Sequence, residues 1–160
     1  MIIAVTGHRP EKLGGYSEEA FIKLVDFAKQ ELSKLNPEKI ISGMAIGWDT
    51  AVAIAALELK IPLLAAIPFS GQEKIWPQEN KNIYNDILKH NLVDIFIVNP
   101  GGFQAWKMLK RNEWMCDNCD ILLSLYNGDK TGGTKHCVEY AKKKNIEIIN
   151  VWKEWQEYGR

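Results

Sequence analysis

At 160 residues, with 46% apolar and 25% charged side chains, the chain has an ordinary globular composition and the length of one domain that buries roughly 70% of its unfolded surface. Its 20 basic and 20 acidic residues cancel, which argues against a strongly basic nucleic-acid binder. No apolar run approaches the roughly 20 residues of a membrane-spanning helix, and the first ten residues lack the charged start and long apolar stretch of an export signal, so a cytoplasmic setting without membrane contact is expected.

Short apolar runs alternate with longer segments of helical period. The first run, Ile2–Thr6, reads as a strand and leads directly into Gly7-His8-Arg9-Pro10. Residues 17–35 place Phe21, Leu24, Val25, Ala28, Leu32 and Leu35 on one helical stripe, with Ser17 positioned to cap it and Glu18 and Glu19 favoured in its first turn. The run Lys39–Ser42 precedes Gly43-Met44-Ala45-Ile46-Gly47-Trp48-Asp49, which opens an alanine-rich helix over 48–59. Small side chains there let the helix approach a sheet closely. Next come the strand Pro62–Ile67, a long connection holding Lys74 and Trp76, and a helix over 79–90. The strand Val93–Val98, a helix over 103–118 and the strand Ile121–Leu125 follow. A polar turn through Gly132-Gly133-Thr134 then starts a helix over 133–144, and the last strand is Glu147–Val151. In the tail, 151–160, Trp152 and Trp155 stand at helical spacing. That spacing predicts a short helix covering one sheet edge; a homodimer contact is the alternative.

Near-continuous Ile, Val and Leu runs are those of parallel strands covered on both faces. Strand and helix in alternation imply right-handed crossovers and a single-domain, doubly wound α/β fold with a mainly parallel sheet over residues 1–160. The strand-to-helix connections are the longer ones, and they hold most of the glycines. In such a sheet they share the carboxyl edge, where ligands bind at the point of strand reversal.

Each of these loops carries its own chemistry. Gly132-Gly133-Thr134 offers backbone N–H groups and a hydroxyl at a helix N-terminus, an arrangement suited to an anion and equally to a flexible helix start. Gly43 through Asp49 is neither the dinucleotide fingerprint nor a Walker loop. Its glycines permit close backbone approach, and Asp49 either caps the helix or accepts from a ribose hydroxyl. Arg9 can take a phosphate with two parallel hydrogen bonds, and His8 can donate to phosphate or ribose; the alternative is two surface residues braced by Pro10. Trp76, with Lys74 nearby, stacks on a base or plugs its loop against the body. Cys116 and Cys119 form a CxxC, but Cys137 beside His136 completes no familiar four-ligand pattern, so ordinary thiols, no metal and no cofactor are expected.

Taken in order, "VTGHRP", "SGMAIGWDTAVA", "RNEWMCDNCDILLSLYNG" and "GGTKHCVEYA" resemble the YpsA-like proteins of the SLOG superfamily, which also holds the LOG phosphoribohydrolases and the DprA/Smf DNA-processing proteins. The resemblance runs over residues 3–150. It implies a Rossmann-like fold that binds nucleotides or nucleotide-derived molecules at the rim. Gly7, His8 and Arg9 match its TGHR motif; Gly43 and Asp49 match SGMAxGxD, with Met44 and Ala45 between them; Gly132, Gly133 and Thr134 match its phosphate loop. Arg111 and Asn112 match an Arg-Asn pair of unassigned role, and Arg111 reads alternatively as a solvated helix charge. LOG enzymes carry PGGxGTxxE with a glutamate in the hydrolytic machinery. Here no proline precedes the glycines, and Cys137 stands at the glutamate's place. Glu139, two residues on, is turned by about 200° around a helix and should face away. The function expected is therefore binding of a nucleotide or ADP-ribose-like phosphorylated molecule, as sensor, sequestering protein or carrier. A nucleoside-monophosphate phosphoribohydrolase and a single-stranded DNA binder are the alternatives.

Overall fold

The computed structural model describes residues 1–159. Six strands, β1 (Ile2–Gly7), β2 (Lys39–Ser42), β3 (Leu63–Ile67), β4 (Val93–Ile97), β5 (Ile121–Leu125) and β6 (Glu147–Asn150), form one sheet in the order β4-β3-β2-β1-β5-β6. Every pairing is parallel. The helices are α1 (Glu18–Leu35), α2 (Trp48–Glu58), α3 (Gln78–Leu88), α4 (Ala105–Asp117), α5 (Gly133–Lys143) and α6 (Trp152–Glu157). This is a Rossmann-like α/β architecture. The chain steps outward from β1 to β4, then returns to lay β5 on the other side of β1. That reversal opens a crevice at the carboxyl ends of β1 and β5.

The strand period of two sorts the core into two layers. Ile3, Val5, Ile40, Leu63, Ala65, Leu123 and Leu125 point toward α1, α2, α3 and α6. Ala4, Ile41, Ala66 and Leu122 point toward α4 and α5, where Met115, Cys116, Cys137 and Val138 meet them. On α2, Ala51, Ala53, Ala55 and Ala56 are fully buried, so this helix beds against both α1 and the sheet. The Ser17 hydroxyl accepts from the Ala20 N–H at 3.1 Å and caps α1.

One expectation needs correction. The run at β4 reads as a strand covered on both faces, yet β4 is an edge strand with Ile95, Phe96 and Ile97 exposed by 51%, 41% and 46%. Phe96, in register with Ala66, faces the α4–α5 side, where Trp114 meets it with ring centres 4.7 Å apart; Ile95 and Ile97, in register with Ala65 and Ile67, face the α3 side and remain exposed there. The tail helix contacts β5, the neighbour of edge strand β6. Trp155 is buried with its ring 5.3 Å from Phe27, and Trp152 meets the His8 ring at 5.6 Å; residue 160 lies outside the described residues. Among the described residues no helix is long and apolar enough to cross a membrane.

Candidate functional site

A cavity of about 520 Å³ occupies the crevice where β1 and β5 part. Its walls come from the loop after β1, the start of α2, one face of α4 and the turn before α5.

Gly7 is the last residue of β1, and a Cβ there would lie 2.5 Å from the Trp48 ring. This glycine thus makes room for the first turn of α2. His8 turns inward and is buried; its Nε2 accepts from the Asn127 N–H at 2.9 Å, tying the β1 loop to the β5 loop. Burial pushes the His8 pKa below its ordinary value, and the ring bridges the loops as a neutral imidazole. Arg9 is exposed on the cavity wall. Lys12 pairs with Asp129 between the same two loops.

Arg111 is buried, not a solvated helix charge. Its Nη1 donates to the carbonyls of Gly43 (2.6 Å) and Ala66 (3.0 Å), and its Nε donates to Asn112 Oδ1 (3.1 Å). The guanidinium carbon lies 2.5 Å from where a Gly43 Cβ would be, so Gly43 gives space to Arg111 rather than to a ligand. Asp49 does not cap α2: the N-cap is Gly47, with no side-chain bond. Its Oδ2 accepts from the Ala45 N–H at 3.4 Å, while Oδ1 has no partner among the described residues. Burial raises the Asp49 carboxyl to about 6, against the opposing pull of Arg111.

At the far wall α5 begins. Gly132 sits at φ 106°, a conformation that favours glycine, and nothing lies within 4 Å of where its Cβ would be. Among the described residues no acceptor takes the backbone N–H of Gly132, Gly133 or Thr134, the unpaired donors of a helix start. Asn112 Nδ2 donates to the Gly133 carbonyl at 3.3 Å and so holds α5 to α4.

The structure brings Gly7, His8, Arg9, Ala45, Asp49, Arg111, Asn112, Gly132, Gly133 and Thr134 onto this one cavity. Gly43 and Met44 do not line it; they lie in the packed layer beneath, Met44 fully buried. Lys74 and Trp76 are not part of it. Their loop follows β3, two strands away from the reversal, and curls on itself through Lys74 N–H to Gly71 O and Trp76 N–H to Glu73 O. Trp76 packs edge-on against Tyr84 at 5.2 Å. Glu11 and Asp129, titratable groups of the rim, also line the cavity; sequence reasoning missed Lys12 and Thr131, and also Ala105, Met108 and Leu109, which supply an apolar wall. The spacing 105, 108, 109, 112 on one helical face was the signal for that wall. The CxxC sulfurs do not form a pair: Cys116 Sγ faces Cys137 Sγ at 3.6 Å within the α4–α5 layer, and Cys119 Sγ lies 3.5 Å from the Cys116 carbonyl.

A parallel doubly wound sheet with a cavity at the reversal of strand order places the chain among Rossmann-like proteins of the open-sheet kind. More particularly, it belongs to the YspA SLOG family, which it matches over residues 3–151. It is 33% identical to the SPbeta prophage-derived protein YoqJ of Bacillus subtilis, over 76% of this chain and 79% of that one. In fold it is similar to DNA processing protein A of Streptococcus pneumoniae (TM-score 0.64, 22% identity, 91% of this chain), of which it spans 48%. The Helicobacter pylori counterpart, a single-stranded DNA binder, gives TM-score 0.64 at 20% identity over 99% of this chain and 73% of that one. The molybdenum cofactor carrier protein of Chlamydomonas reinhardtii gives 0.59 at 14% identity over 98% and 81%.

Proposed function

We propose that the protein binds a nucleotide or nucleotide-derived phosphorylated molecule in the cavity between β1 and β5, as a sensor, sequestering protein or carrier. The observation that carries this reading is a convergence: the free amides of Gly132, Gly133 and Thr134, the Arg9 guanidinium and the Asp49 carboxylate, whose Oδ1 has no partner among the described residues, all border one space. An anionic group is matched to the amides and Arg9. A hydroxyl or amine on the same ligand is matched to Asp49 Oδ1, which otherwise stays buried without a donor. Ala105, Met108 and Leu109 give a flat apolar part, such as a base, a surface to lie on. The volume falls within the range of small-molecule sites.

The charge around the cavity also favours a small ligand over a polymer. Arg9, Lys12 and Arg111 are balanced by Glu11, Asp49 and Asp129, so no continuous basic groove is offered to a nucleic-acid backbone. Glu139 is 58% exposed, lies 4.0 Å from Lys135 and does not border the cavity, so it is not placed for a LOG-type hydrolysis.

Calorimetry with nucleoside monophosphates, ADP-ribose and a single-stranded oligonucleotide tests the reading. A small phosphorylated ligand should bind and should lose affinity on Arg9→Ala. Silence across the small-ligand panel would reject it. Oligonucleotide binding that collapses with salt would replace it with the nucleic-acid reading, and release of free base would replace it with the hydrolase.

A further inference from the structure

A second cavity, also about 520 Å³, lies on the other side of the loops that wall the first. Arg9, Ala45 and Asp49 face the first cavity, whereas Pro10, Ile46, Gly47 and Thr50 face the second. The partition is tight. Trp48 N–H donates to the His8 carbonyl at 3.2 Å, and a Cβ on Gly47 would stand 2.5 Å from that carbonyl. The second cavity is a separate space, framed by the start of α1 and the start of α3.

Its chemistry is unlike that of the first. Leu13, Phe21, Leu24, Ile46 and Ile83 make apolar walls, and Tyr16 and Trp76 add aromatic ones. Among the described residues, the charged side chains lining it are Glu18 and Glu79, and no lysine, arginine or histidine does so. Neither glutamate joins an ion pair among the described residues. Each stands in the first turn of its helix, where the dipole favours an anion. That accounts for each carboxylate singly; it does not account for both helix starts meeting at one aromatic-walled cavity. Tyr16 and Ile22, both on this cavity, remain 58% and 53% exposed, so large apolar surface there is still open to an occupant.

We propose that this second cavity binds a small organic cation: a protonated or quaternary amine carried on an aromatic or branched apolar body. The ammonium group would meet the carboxylates of Glu18 and Glu79, and the negative ring faces of Tyr16 and Trp76 reinforce the same sign preference. The apolar body would cover Leu13, Phe21 and Ile46. This site does not depend on what occupies the first cavity.

The test is an NMR titration of the whole ¹⁵N-labelled chain with three probes of one shape: (1-naphthylmethyl)trimethylammonium, 1-naphthalenemethanol and 1-naphthylacetate. The ammonium probe should move the Gly15 and Thr50 amides and the Trp76 indole while leaving the Gly132 and Gly133 amides in place. It should bind about tenfold more tightly than the carboxylate. The double variant Glu18→Gln, Glu79→Gln, which changes two exposed side chains, should reduce that preference to about threefold or less. Equal affinity for the three probes would mark a merely apolar cleft and overturn the proposal. So would shifts confined to the first cavity, an unchanged preference in the double variant, or no shifts at all.

Discussion

Replacing Asp49 by asparagine should make the free protein more stable and its ligand complex weaker. Burial lifts this carboxyl from an ordinary 3.8 to about 6, a change that corresponds to about 3 kcal/mol. The sign follows from proton binding. Below about pH 4 both folded and unfolded chains hold the proton, and the site has no effect on stability. Between about pH 4 and 6 the unfolded chain ionises while the folded one keeps its proton, so stability falls as pH rises. Above about pH 6 the full cost of a buried carboxylate is present. The attraction of Arg111 is already included, because it opposes burial in setting the Asp49 value; burial likewise prevails at Arg111, whose own pKa is lowered. Asparagine keeps the shape without the charge. Urea unfolding of both proteins at about pH 4, 5 and 7.5 should show a difference near zero at the acid end, rising to about 3 kcal/mol in favour of the variant. A variant less stable at neutral pH, or a difference independent of pH, would show that interactions of the carboxylate outweigh its burial, and the reasoning would fail.

Three further outcomes are expected. Arg9→Ala should weaken binding of a phosphorylated ligand by about tenfold or more, as for a lost charge-assisted contact, with Tm nearly unchanged because Arg9 is exposed; calorimetry and a thermal melt read the two effects, and a large drop in Tm with intact binding would make Arg9 structural. Gly133→Val places a branched side chain where only Asn112 Nδ2 lies within 4.0 Å, so the fold should tolerate it while an anion loses its approach; unchanged affinity would remove this helix start from the site. Arg111→Met leaves the Gly43 and Ala66 carbonyls without their donor and Asp49 without its cation, and should lose about 3–5 kcal/mol in urea unfolding; a loss below about 1 kcal/mol would show the guanidinium to be dispensable.

The strands and helices were legible because each repeats its own period over enough residues, and Ser17 announced the start of α1 by its type and place. What the sequence left open depends on partners distant in the chain. Gly7 and Gly43 looked like glycines kept small for a ligand, but Trp48 and Arg111 fill the space above them. Arg111 looked like any helix charge because its acceptors are carbonyls, which every residue possesses. The assumption that every strand-to-helix loop reaches the same site failed at Lys74 and Trp76. All such loops share an edge, but lateral distance along that edge depends on strand order, which composition does not encode. The same ignorance of order left the β4 run undistinguished from the strands covered on both faces.

The candidate site joins features that are unfavourable or idle in the free protein. Among the described residues, the helix-start amides at Gly132–Thr134 lack acceptors and Asp49 Oδ1 lacks a donor. These deficits are complementary in kind, one short of acceptors and the other of donors, and the two would satisfy each other in contact, but no hydrogen bond joins them across the cavity. A single molecule with an anionic end and a donor some way along its body satisfies both at once, and a bare inorganic anion satisfies only the first. The affinity lost on Asp49→Asn should therefore be large for a ribose-bearing phosphate and small for inorganic phosphate. Competition calorimetry with the two ligands separates these outcomes, and equal losses would mean that Asp49 acts through the shape of its loop rather than by contact.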